Sequence, residues 1–239
     1  MGTLQAKVAI VTGAGRGIGR AVALGLASAG CRVALASRSA DQLAAVADEI
    51  GKNGGEALPI TADLTRDEEI EALVGRVLDH WRRIDILVNN AGWGRRAPVA
   101  KANVADWDQT LGVNLRAPML LTRLVLPTMI ARESGAIVNI GSIAGKSGEA
   151  NASAYAASKF GLIGFTQSLF EEVREYGIKA SVILPGFVDT PLIPETRRLD
   201  RAKMIRPEDV ADTVMYVLRS GPACCPVEIT LRPQRTPYR

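Results

Sequence analysis

Short apolar runs alternate with longer amphipathic segments along the chain. The apolar runs lie at residues 7–11, 32–37, 56–61, 84–88, 136–140, 181–184 and 227–231. Between them, apolar residues recur at three- and four-residue spacing at 20–29, 39–51, 65–81, 104–132, 155–176 and 208–219. Short apolar runs are typical of doubly buried parallel strands, and the spaced segments predict helices. The alternation predicts an α/β protein with a parallel sheet.

Three predicted helices carry recognisable start signals. Ser39 with Gln42 and Thr65 with Glu68 have the spacing of a capping box, in which each side chain bonds to the other residue's backbone N–H. Pro207 is expected in the first turn of the last helix, where its missing N–H costs nothing.

The composition indicates one folded unit inside the cell. A chain of 239 residues with 47% hydrophobic content can bury a large core without disulfides or metals, so we expect a single domain over residues 1–239. No apolar run approaches the roughly 20 residues that cross a bilayer, and the N-terminus lacks a signal core. The cysteines Cys31, Cys224 and Cys225 have neither metal-ligand nor disulfide spacing. We expect a cytoplasmic protein without a metal site or membrane contact.

The net charge of +4 raises the question of an anionic partner. The basic residues are dispersed among acids, without a basic stripe or interleaved aromatic residues, which argues against nucleic acid as the partner. The excess charge is better explained by a phosphate-bearing ligand and by solubility.

A glycine-rich turn follows the first predicted strand. Residues 12–19 read Thr-Gly-Ala-Gly-Arg-Gly-Ile-Gly and lead into a helical segment. Glycines between a strand and a helix let the backbone approach a diphosphate, whose charge then lies on the free amides of the helix N-terminus. We assign this task to Gly13, Gly17 and Gly19.

The end of the second strand indicates which dinucleotide binds. Folds that prefer NAD place an acid there on the ribose diol, whereas this chain has Ala36-Ser37-Arg38. Ser37 would not repel a 2′-phosphate, and Arg38 can bind one with its planar guanidinium. The residues therefore favour NADP(H) over NAD(H).

Further motifs follow at regular places. Asn89-Asn90-Ala91-Gly92 comes after the fourth strand, Asn114 lies in the long helix, and Ser142 precedes Tyr155 by thirteen positions. Tyr155 and Lys159 are four residues apart, so they share one helix face. With the Thr-Gly-x-x-x-Gly-Ile-Gly turn, this combination resembles the short-chain dehydrogenase/reductase family over roughly residues 5–231.

The resemblance implies a fold and an assembly. The fold would be a single Rossmann-type doubly wound domain, a seven-stranded parallel sheet with helices on both faces, and a substrate lid at about 190–206. Members commonly form homodimers or homotetramers through the two long helices, here 104–132 and 155–176. Many tetrameric members end in a Val-Asp-Gly-Gly tail, which this chain lacks.

The resemblance also implies roles for individual residues. Tyr155 would be the general acid or base, Ser142 would position the substrate oxygen, Lys159 would bind the nicotinamide ribose, and Asn114 would hold a water that reaches Lys159. The implied cofactor contacts are Gly13, Gly15, Arg16, Gly17, Ile18, Gly19, Ser37, Arg38, Asp63, Leu64, Asn90, Ala91, Gly92, Tyr155, Lys159, Pro185, Gly186, Val188 and Thr190. In the family, the Asn-Asn-Ala-Gly motif mainly ties neighbouring strands together, and Asn89 and Gly92 would also lie close to the cofactor.

Two of these residues have an alternative interpretation. Asp63 is equally typical of a loop acid. On residue type alone, Asn114 would be satisfied by its own backbone turn.

Carbonyl reduction needs a hydride on carbon and a proton on oxygen. A tyrosine of ordinary pKa is a poor proton shuttle at neutral pH, and a Lys159 ammonium about 5 Å away is expected to lower the pKa of Tyr155.

The first hypothesis is an NADPH-dependent oxidoreductase that reduces a small-molecule carbonyl to an alcohol, or the reverse. One alternative is a 3-oxoacyl-[acyl-carrier-protein] reductase that docks an acidic carrier on a group of arginines. Those arginines are Arg95, Arg96, Arg197, Arg198 and Arg201. A third hypothesis is a sensor that binds NADP without turnover.

Overall fold

Seven parallel strands form one sheet in the computed structural model, which describes residues 4–193, 196 and 198–238. The strands are β1 (Val8–Thr12), β2 (Arg32–Ser37), β3 (Glu56–Thr61), β4 (Ile86–Asn89), β5 (Gly135–Ile140), β6 (Ile178–Pro185) and β7 (Glu228–Leu231). Their order in the sheet is β3-β2-β1-β4-β5-β6-β7. All seven strands were expected from the apolar runs, so the predicted sheet is confirmed.

Helices connect the strands and cover both faces. They are α1 (Gly17–Ser28), α2 (Ala40–Lys52), α3 (Asp67–Trp81), α4 (Val104–Leu111), α5 (Ala117–Ile130), α6 (Ser153–Val173) and α7 (Pro207–Arg219). Short 3₁₀ turns lie at Val99–Lys101, Ile143–Gly145, Arg174–Tyr176 and Arg201–Lys203. Within the described residues, no helix is long and apolar enough to cross a membrane.

The two faces of the sheet bury separate hydrophobic cores. One core combines the sheet with α1, α2 and α7, and the other combines it with α3, α5 and α6. In β1, Ala9 and Val11 face the first core while Val8 and Ile10 face the second. Side chains of a strand alternate between faces, so a strand covered on both sides must be apolar throughout.

Neither predicted capping box forms. Ser39 does precede α2, but its side chain does not cap the helix, and Gln42 lies against the glycine turn instead. Helix α3 begins at Asp67, after Arg66, and Thr65 donates its hydroxyl to Asp63 at 2.9 Å. Sequence spacing alone does not determine a cap, because Asp63 competes for the Thr65 side chain.

The long helical segment predicted at 104–132 is divided by a wider turn. Residues Gly112–Arg116 form a π-helical turn between α4 and α5. A π-turn breaks the regular hydrogen-bond ladder and turns a side chain away from the helical face it would otherwise occupy. The side chain of Asn114 lies at this break.

The sheet has one topological switch point. Strands β1 and β4 are neighbours, and from them the chain proceeds to β2 and β3 on one side and to β5, β6 and β7 on the other. Connections leaving in opposite directions open a crevice at the carboxyl ends of the two strands. The glycine turn follows β1 at this edge, and Asn90 follows β4.

Candidate active site

A cavity of about 850 Å³ lies at the carboxyl edge of the sheet. Its wall contains most of the residues predicted to bind a dinucleotide or to react. They are Gly13, Gly15, Arg16, Gly17, Ile18, Ser37, Arg38, Asp63, Leu64, Asn90, Ala91, Gly92, Ser142, Tyr155, Lys159, Pro185, Gly186, Val188 and Thr190. Residues from every part of the chain between β1 and β6 therefore meet at one place.

The glycine turn depends on backbone conformations that side chains disfavour. Gly13 has φ of +64° and Gly17 has φ of +54°, both in the left-handed region. Gly19 lies outside the cavity wall and has another function: a Cβ there would lie 2.2 Å from the carbonyl oxygen of Gly13. Gly19 thus permits α1 to approach the end of β1, while Gly13 and Gly17 shape the turn itself.

Asn90 fastens the end of β4 to the end of β1. Its amide nitrogen donates to the Thr12 carbonyl oxygen at 2.9 Å, and the backbone N–H groups of Asn90 and Ala91 donate to Thr12 Oγ1 at 2.9 and 3.0 Å. Thr12 was not among the predicted site residues. Its place as the first residue of the Thr-Gly-x-x-x-Gly-Ile-Gly turn, at the end of a strand, is the signal that could have indicated it.

Asn89 was expected close to the cofactor, but it is not among the residues that line the cavity. It is 3% exposed, and its amide donates to Asn139 Oδ1 on β5 at 2.8 Å. Asn139 in turn donates to Thr166 Oγ1 on α6. This part of the motif therefore joins β4, β5 and α6 inside the protein.

Ser37, Arg38 and Arg16 lie at one end of the cavity. Both arginines are exposed, and Ser37 lies close to Gly15 of the glycine turn. Asp63 faces the same end, and the nearby charge of Arg38 contributes to lowering its pKa after the larger effect of the Thr65 backbone hydrogen bond. Asp63 is therefore a loop acid bonded to Thr65 that also lines the cavity, and its contact with a nucleotide stays a prediction.

Asn114 is buried behind the wall at the π-turn, with 1% of its surface exposed. Its oxygen accepts from the Trp93 backbone N–H at 2.8 Å, and its nitrogen donates to the Trp93 carbonyl at 2.8 Å and to Ser158 Oγ at 3.0 Å. Ser158 Oγ donates to the Tyr155 carbonyl oxygen at 2.7 Å. The side chain is thus satisfied by the loop after β4 and by α6, and not by its own turn as residue type alone suggested.

Three polar side chains converge from two elements. Ser142 follows β5, and Tyr155 and Lys159 share the first turns of α6. The Lys159 Nζ donates to the Ile140 carbonyl oxygen at 2.9 Å and lies 5.7 Å from the centre of the Tyr155 ring. Ser142 Oγ accepts from the Ala144 backbone N–H at 3.1 Å, which orients it at the strand end. The geometry brings a hydroxyl, a phenol and an ammonium together.

The pKa of Tyr155 differs from the expectation. Burial raises it, and hydrogen bonding to Ser142 offsets part of that effect. Glu149 raises the pKa further, while Arg96 lowers it. Burial also lowers the pKa of Lys159 to about 8. The predicted lowering of the Tyr155 pKa is therefore not observed: burial raises this pKa, and Lys159 is not among the groups that shift it.

The segment after β6 forms another part of the wall. Thr190 is 8% exposed, and its methyl group approaches Gly17 across the cavity. Arg201 holds this segment: its guanidinium donates to the Thr190 carbonyl at 3.0 Å, the Ile193 carbonyl at 3.1 Å and Asp189 Oδ1 at 2.7 Å. The predicted lid at 190–206 includes residues 194, 195 and 197, which lie outside the described residues.

The remaining wall was not predicted in detail. It includes Trp93, Gly94, Arg95, Arg96, Gln109, Val113, Glu149, Phe187, Leu192 and Ile193. These residues come from the loops after β4, β5 and β6 and from the helix before Asn114. Gly94 packs so closely on the Tyr155 ring that a Cβ there would lie 2.8 Å from Cδ2. Periodicity carries no signal for such loop contacts.

Most of the described arginines predicted to dock an acidic carrier have acidic partners. The ion pairs are Arg95–Asp106 at 3.6 Å, Arg96–Glu149, and Arg201–Asp189 at 2.7 Å. Arg198 is exposed, and Arg197 lies outside the described residues.

A family model described as short chain dehydrogenase matches residues 7–200. The chain is 38% identical to a 3-oxoacyl-[acyl-carrier-protein] reductase of Synechocystis, a match that covers 93% of both chains. It is 34% identical to an uncharacterized oxidoreductase of Staphylococcus aureus, over 98% of this chain and 100% of the relative.

Solved structures of similar proteins contain nucleotides. A metagenomic short-chain oxidoreductase in complex with NADP superposes with a TM-score of 0.87 at 38% identity, covering 98% of this chain and all of that one. A variant of actinorhodin polyketide ketoreductase with NADPH has a TM-score of 0.89 at 33% identity, covering 97% of each chain.

Proposed function

The chain belongs to the short-chain dehydrogenase family, and from that premise we propose that it reduces a carbonyl group to an alcohol with NADPH, or performs the reverse reaction. The observation that carries the proposal is the convergence of Ser142, Tyr155 and Lys159 on the same cavity as the glycine turn. A sheet crevice that holds both a phosphate cradle and a phenol beside an ammonium suits hydride transfer to a carbonyl.

The cavity suits a dinucleotide with a 2′-phosphate. The left-handed glycines Gly13 and Gly17 bring the backbone to the wall at the start of α1, where free N–H groups attract a diphosphate. Ser37 leaves the ribose end without a repelling acid, and Arg16 and Arg38 are exposed there to bind the phosphate. When bound, NADPH supplies the hydride. Both similar structures named above contain this nucleotide or its oxidised form.

Tyr155 and Ser142 would act on the substrate oxygen. Ser142 polarises and orients it, and Tyr155 donates its phenol proton as the alcohol forms. A raised pKa keeps Tyr155 protonated at neutral pH, which favours its role as an acid in reduction. As a base for alcohol oxidation it would need a higher pH.

Lys159 would bind the nucleotide, and Asn114 would hold the neighbouring backbone in place. The Lys159 ammonium is held by the Ile140 carbonyl at the cavity wall, where it can bond a ribose hydroxyl. Asn114 bonds to the loop at Trp93 and, through Ser158, to the start of α6. In the proposed function it is a positioning residue that also supports a water next to Lys159. The remaining predicted nucleotide contacts are Gly15, Ile18, Asp63, Leu64, Asn90, Ala91, Gly92, Pro185, Gly186, Val188 and Thr190.

A 3-oxoacyl thioester on an acyl carrier protein is the second candidate substrate. The Synechocystis relative, whose name describes this activity, favours it. The ion pairs of Arg95, Arg96 and Arg201 weigh against a free basic docking surface, because an acidic carrier would have to displace Asp106, Glu149 or Asp189. A steep loss of activity with salt on carrier-bound but not on free ketones would support docking.

A sensor that binds NADP without turnover is the least supported candidate. The relatives named above are oxidoreductases, and Tyr155 and Lys159 are both present at the cavity.

We propose that one domain carries the site and that its copies associate. Family members are typically oligomeric, and apolar side chains remain exposed on α4, α5 and α6: Leu111 by 39%, Met119 by 44% and Phe160 by 48%. A homodimer or homotetramer would cover them. The segment around 190–206 would serve as the substrate lid, held by Arg201.

The proposal is tested by following NADPH oxidation against a panel of ketones and aldehydes. We expect turnover of at least one neutral carbonyl, and a loss of at least about 100-fold in Tyr155→Phe, since the phenol proton is removed. NADPH binding, followed by its fluorescence, should stay within about twofold of wild type, because the ring is retained. Near-normal turnover by Tyr155→Phe would contradict the mechanism.

A further inference from the structure

The last residues of the chain fold back over the segment that follows β6. We call residues 232–238 the C-terminal strap. At its beginning, the Gly186 backbone N–H donates to the Leu231 carbonyl at 2.8 Å, and a Cβ at Gly186 would lie 3.1 Å from Pro233. The strap therefore starts in contact with a residue of the cavity wall.

The far end of the strap is attached at two more places. The Asp200 backbone N–H donates to the Pro237 carbonyl at 2.7 Å, and Leu199 forms an antiparallel bridge with Tyr238. Pro237 is buried. The strap is therefore attached along its length to the segment that follows β6.

Tyr238 also contacts the cavity wall through an aromatic pair. Its ring meets the ring of Phe187 edge to face, with centres 5.5 Å apart and planes at 83°. Phe187 lines the cavity, immediately after Gly186. The edge-to-face arrangement is a favoured geometry for aromatic rings, and it limits how far the Phe187 ring can turn.

The strap reaches a second part of the wall through Arg201. The strap holds Leu199 and Asp200 by the backbone, and the next residue, Arg201, bonds the carbonyls of Thr190 and Ile193. Val188 pairs with Ile205 in the same segment. The strap thus contacts the cavity wall at Phe187 directly, and at Thr190 and Ile193 through Arg201.

We infer that the C-terminal strap, with Tyr238 as its contact residue, positions Phe187 and thereby determines which carbonyl substrates the site accepts. The inference rests on the proposed function and specifies its substrate class. A ketone with a bulky aromatic group needs a fixed apolar wall to bury against, whereas a short aliphatic ketone is oriented by Ser142 and Tyr155 alone. Fixing the wall in advance lowers the entropy cost of binding the bulky substrate. Tyr238 acts through Phe187 and is a positioning residue.

The test compares Tyr238→Ala with Tyr216→Ala, a matched loss of an exposed tyrosine on α7, outside the residues that line the cavity. We expect Tyr238→Ala to raise KM for a bulky aryl ketone by about tenfold and KM for a short aliphatic ketone by less than about twofold. The kcat for both ketones and the NADPH affinity should stay near wild type, as should every parameter of Tyr216→Ala. Tyr238→Phe retains the ring and should restore the wild-type KM.

A second readout does not depend on turnover. Trypsin cleavage after Arg198 and Arg201, mapped by mass spectrometry, should be at least about fivefold faster in Tyr238→Ala, because loss of the ring contact with Phe187 loosens the strap that holds Leu199 and Asp200 by its backbone. A variant that ends at Arg232 should show the same two effects more strongly.

Several outcomes would overturn the inference. An unchanged KM for the bulky ketone would do so, and so would an equal loss for both ketones accompanied by loss of NADPH binding, since that marks a general structural role. If the wild-type protein reduced no carbonyl at all, the proposed function would fail, and the strap would be judged by trypsin alone. Equal cleavage rates in Tyr238→Ala and wild type would then reject it.

Discussion

Lys159 carries its charge where the protein excludes water. It is 3% exposed, and burial lowers its pKa to about 8 from an ordinary value of 10.5. A buried ammonium is costly, and residues that a stable core would avoid are retained where the chemistry requires them. Under the proposed function, the charge that Lys159 supplies to the site therefore lowers the stability of the fold.

We predict that Lys159→Met stabilises the nucleotide-free protein while it removes activity. The lowered pKa corresponds to about 3 kcal/mol at pH 7, and the lost hydrogen bond to the Ile140 carbonyl returns about 1–2 kcal/mol. Urea unfolding at pH 7 should show a net gain of about 1–2 kcal/mol. An equal loss of stability and activity would contradict this prediction.

The pH dependence of that gain has a definite sign. Between about pH 8 and 10.5 the unfolded chain holds the Lys159 proton and the folded protein does not. The unfolded state binds more protons, so wild-type stability rises with pH across this window. The advantage of Lys159→Met should therefore shrink from pH 8 towards pH 10. A gap that widens over this range would exclude the assigned cause.

Arg38 should distinguish NADPH from NADH. Its guanidinium is exposed at the cavity end beside Ser37, where a 2′-phosphate would lie. A charge-assisted bidentate contact is worth about 1.5–3 kcal/mol, so Arg38→Leu should weaken NADPH binding about 10- to 100-fold. NADH binding should change by less than about twofold. Arg76→Leu, an exposed arginine on α3, serves as the control. An equal loss of affinity for NADPH and NADH would contradict this prediction, because it would indicate that the substitution disturbs the structure of the cavity.

At the scale of elements, α1 joins the glycine turn to the first core. Gly19 and Gly25 lie on this helix and differ in what surrounds them. A Cβ at Gly19 would collide with the Gly13 carbonyl, whereas a Cβ at Gly25 meets nothing within 4 Å. Close packing therefore requires a glycine at position 19. Gly25 is not required by packing, and it lowers the stability of the helix relative to alanine.

We predict opposite effects for the two alanine substitutions. Gly19→Ala should lower the free energy of unfolding by about 2–3 kcal/mol and weaken NADPH binding, because the turn must shift to relieve a 2.2 Å contact with backbone. Gly25→Ala should raise it by about 0.5–1 kcal/mol through helix propensity and leave binding unchanged. Urea unfolding and a fluorescence titration measure both, and equal effects of the two substitutions would refute the distinction.

The π-turn at Gly112–Arg116 contains one buried side chain, that of Asn114. It aims Asn114 at the Trp93 backbone and at Ser158, which connects the loop after β4 with α6. Apolar periodicity predicted a continuous helix over 104–132, because one extra residue in a turn hardly changes the pattern of buried positions. Only the backbone hydrogen bonding of the folded protein reveals the interruption.

At the scale of the whole molecule, the apolar side chains left on α4, α5 and α6 predict association. We expect Phe160→Glu to shift the protein from an oligomer towards a monomer, measured by size-exclusion chromatography with light scattering, because a charge would be buried in the interface. Tyr216→Glu, on the exposed face of α7, should leave the assembly unchanged. A wild-type monomer would contradict the proposed association outright.

The contacts of the C-terminal strap exist only in the folded protein. Residues 224–233 do not match the Val-Asp-Gly-Gly tail of many tetrameric family members. The sequence pattern predicted no contacts for Pro233, Pro237 and Tyr238, because these residues carry no periodicity. In the folded protein they contact Gly186, Asp200 and Phe187, residues distant in sequence that the sheet brings to the same edge.

The sequence by itself determined the sheet, the edge at which the cavity lies and about half of the residues that line it. Apolar runs indicate buried strands, and the carboxyl ends of parallel strands share one edge, so motifs that follow strands must meet there. Tertiary structure alone decided that the pKa of Tyr155 is raised, that Asn89 lies away from the cavity wall and that the two predicted capping boxes do not form. Each of these depends on burial or on competition among neighbours that are distant in sequence, and a linear pattern does not contain that information.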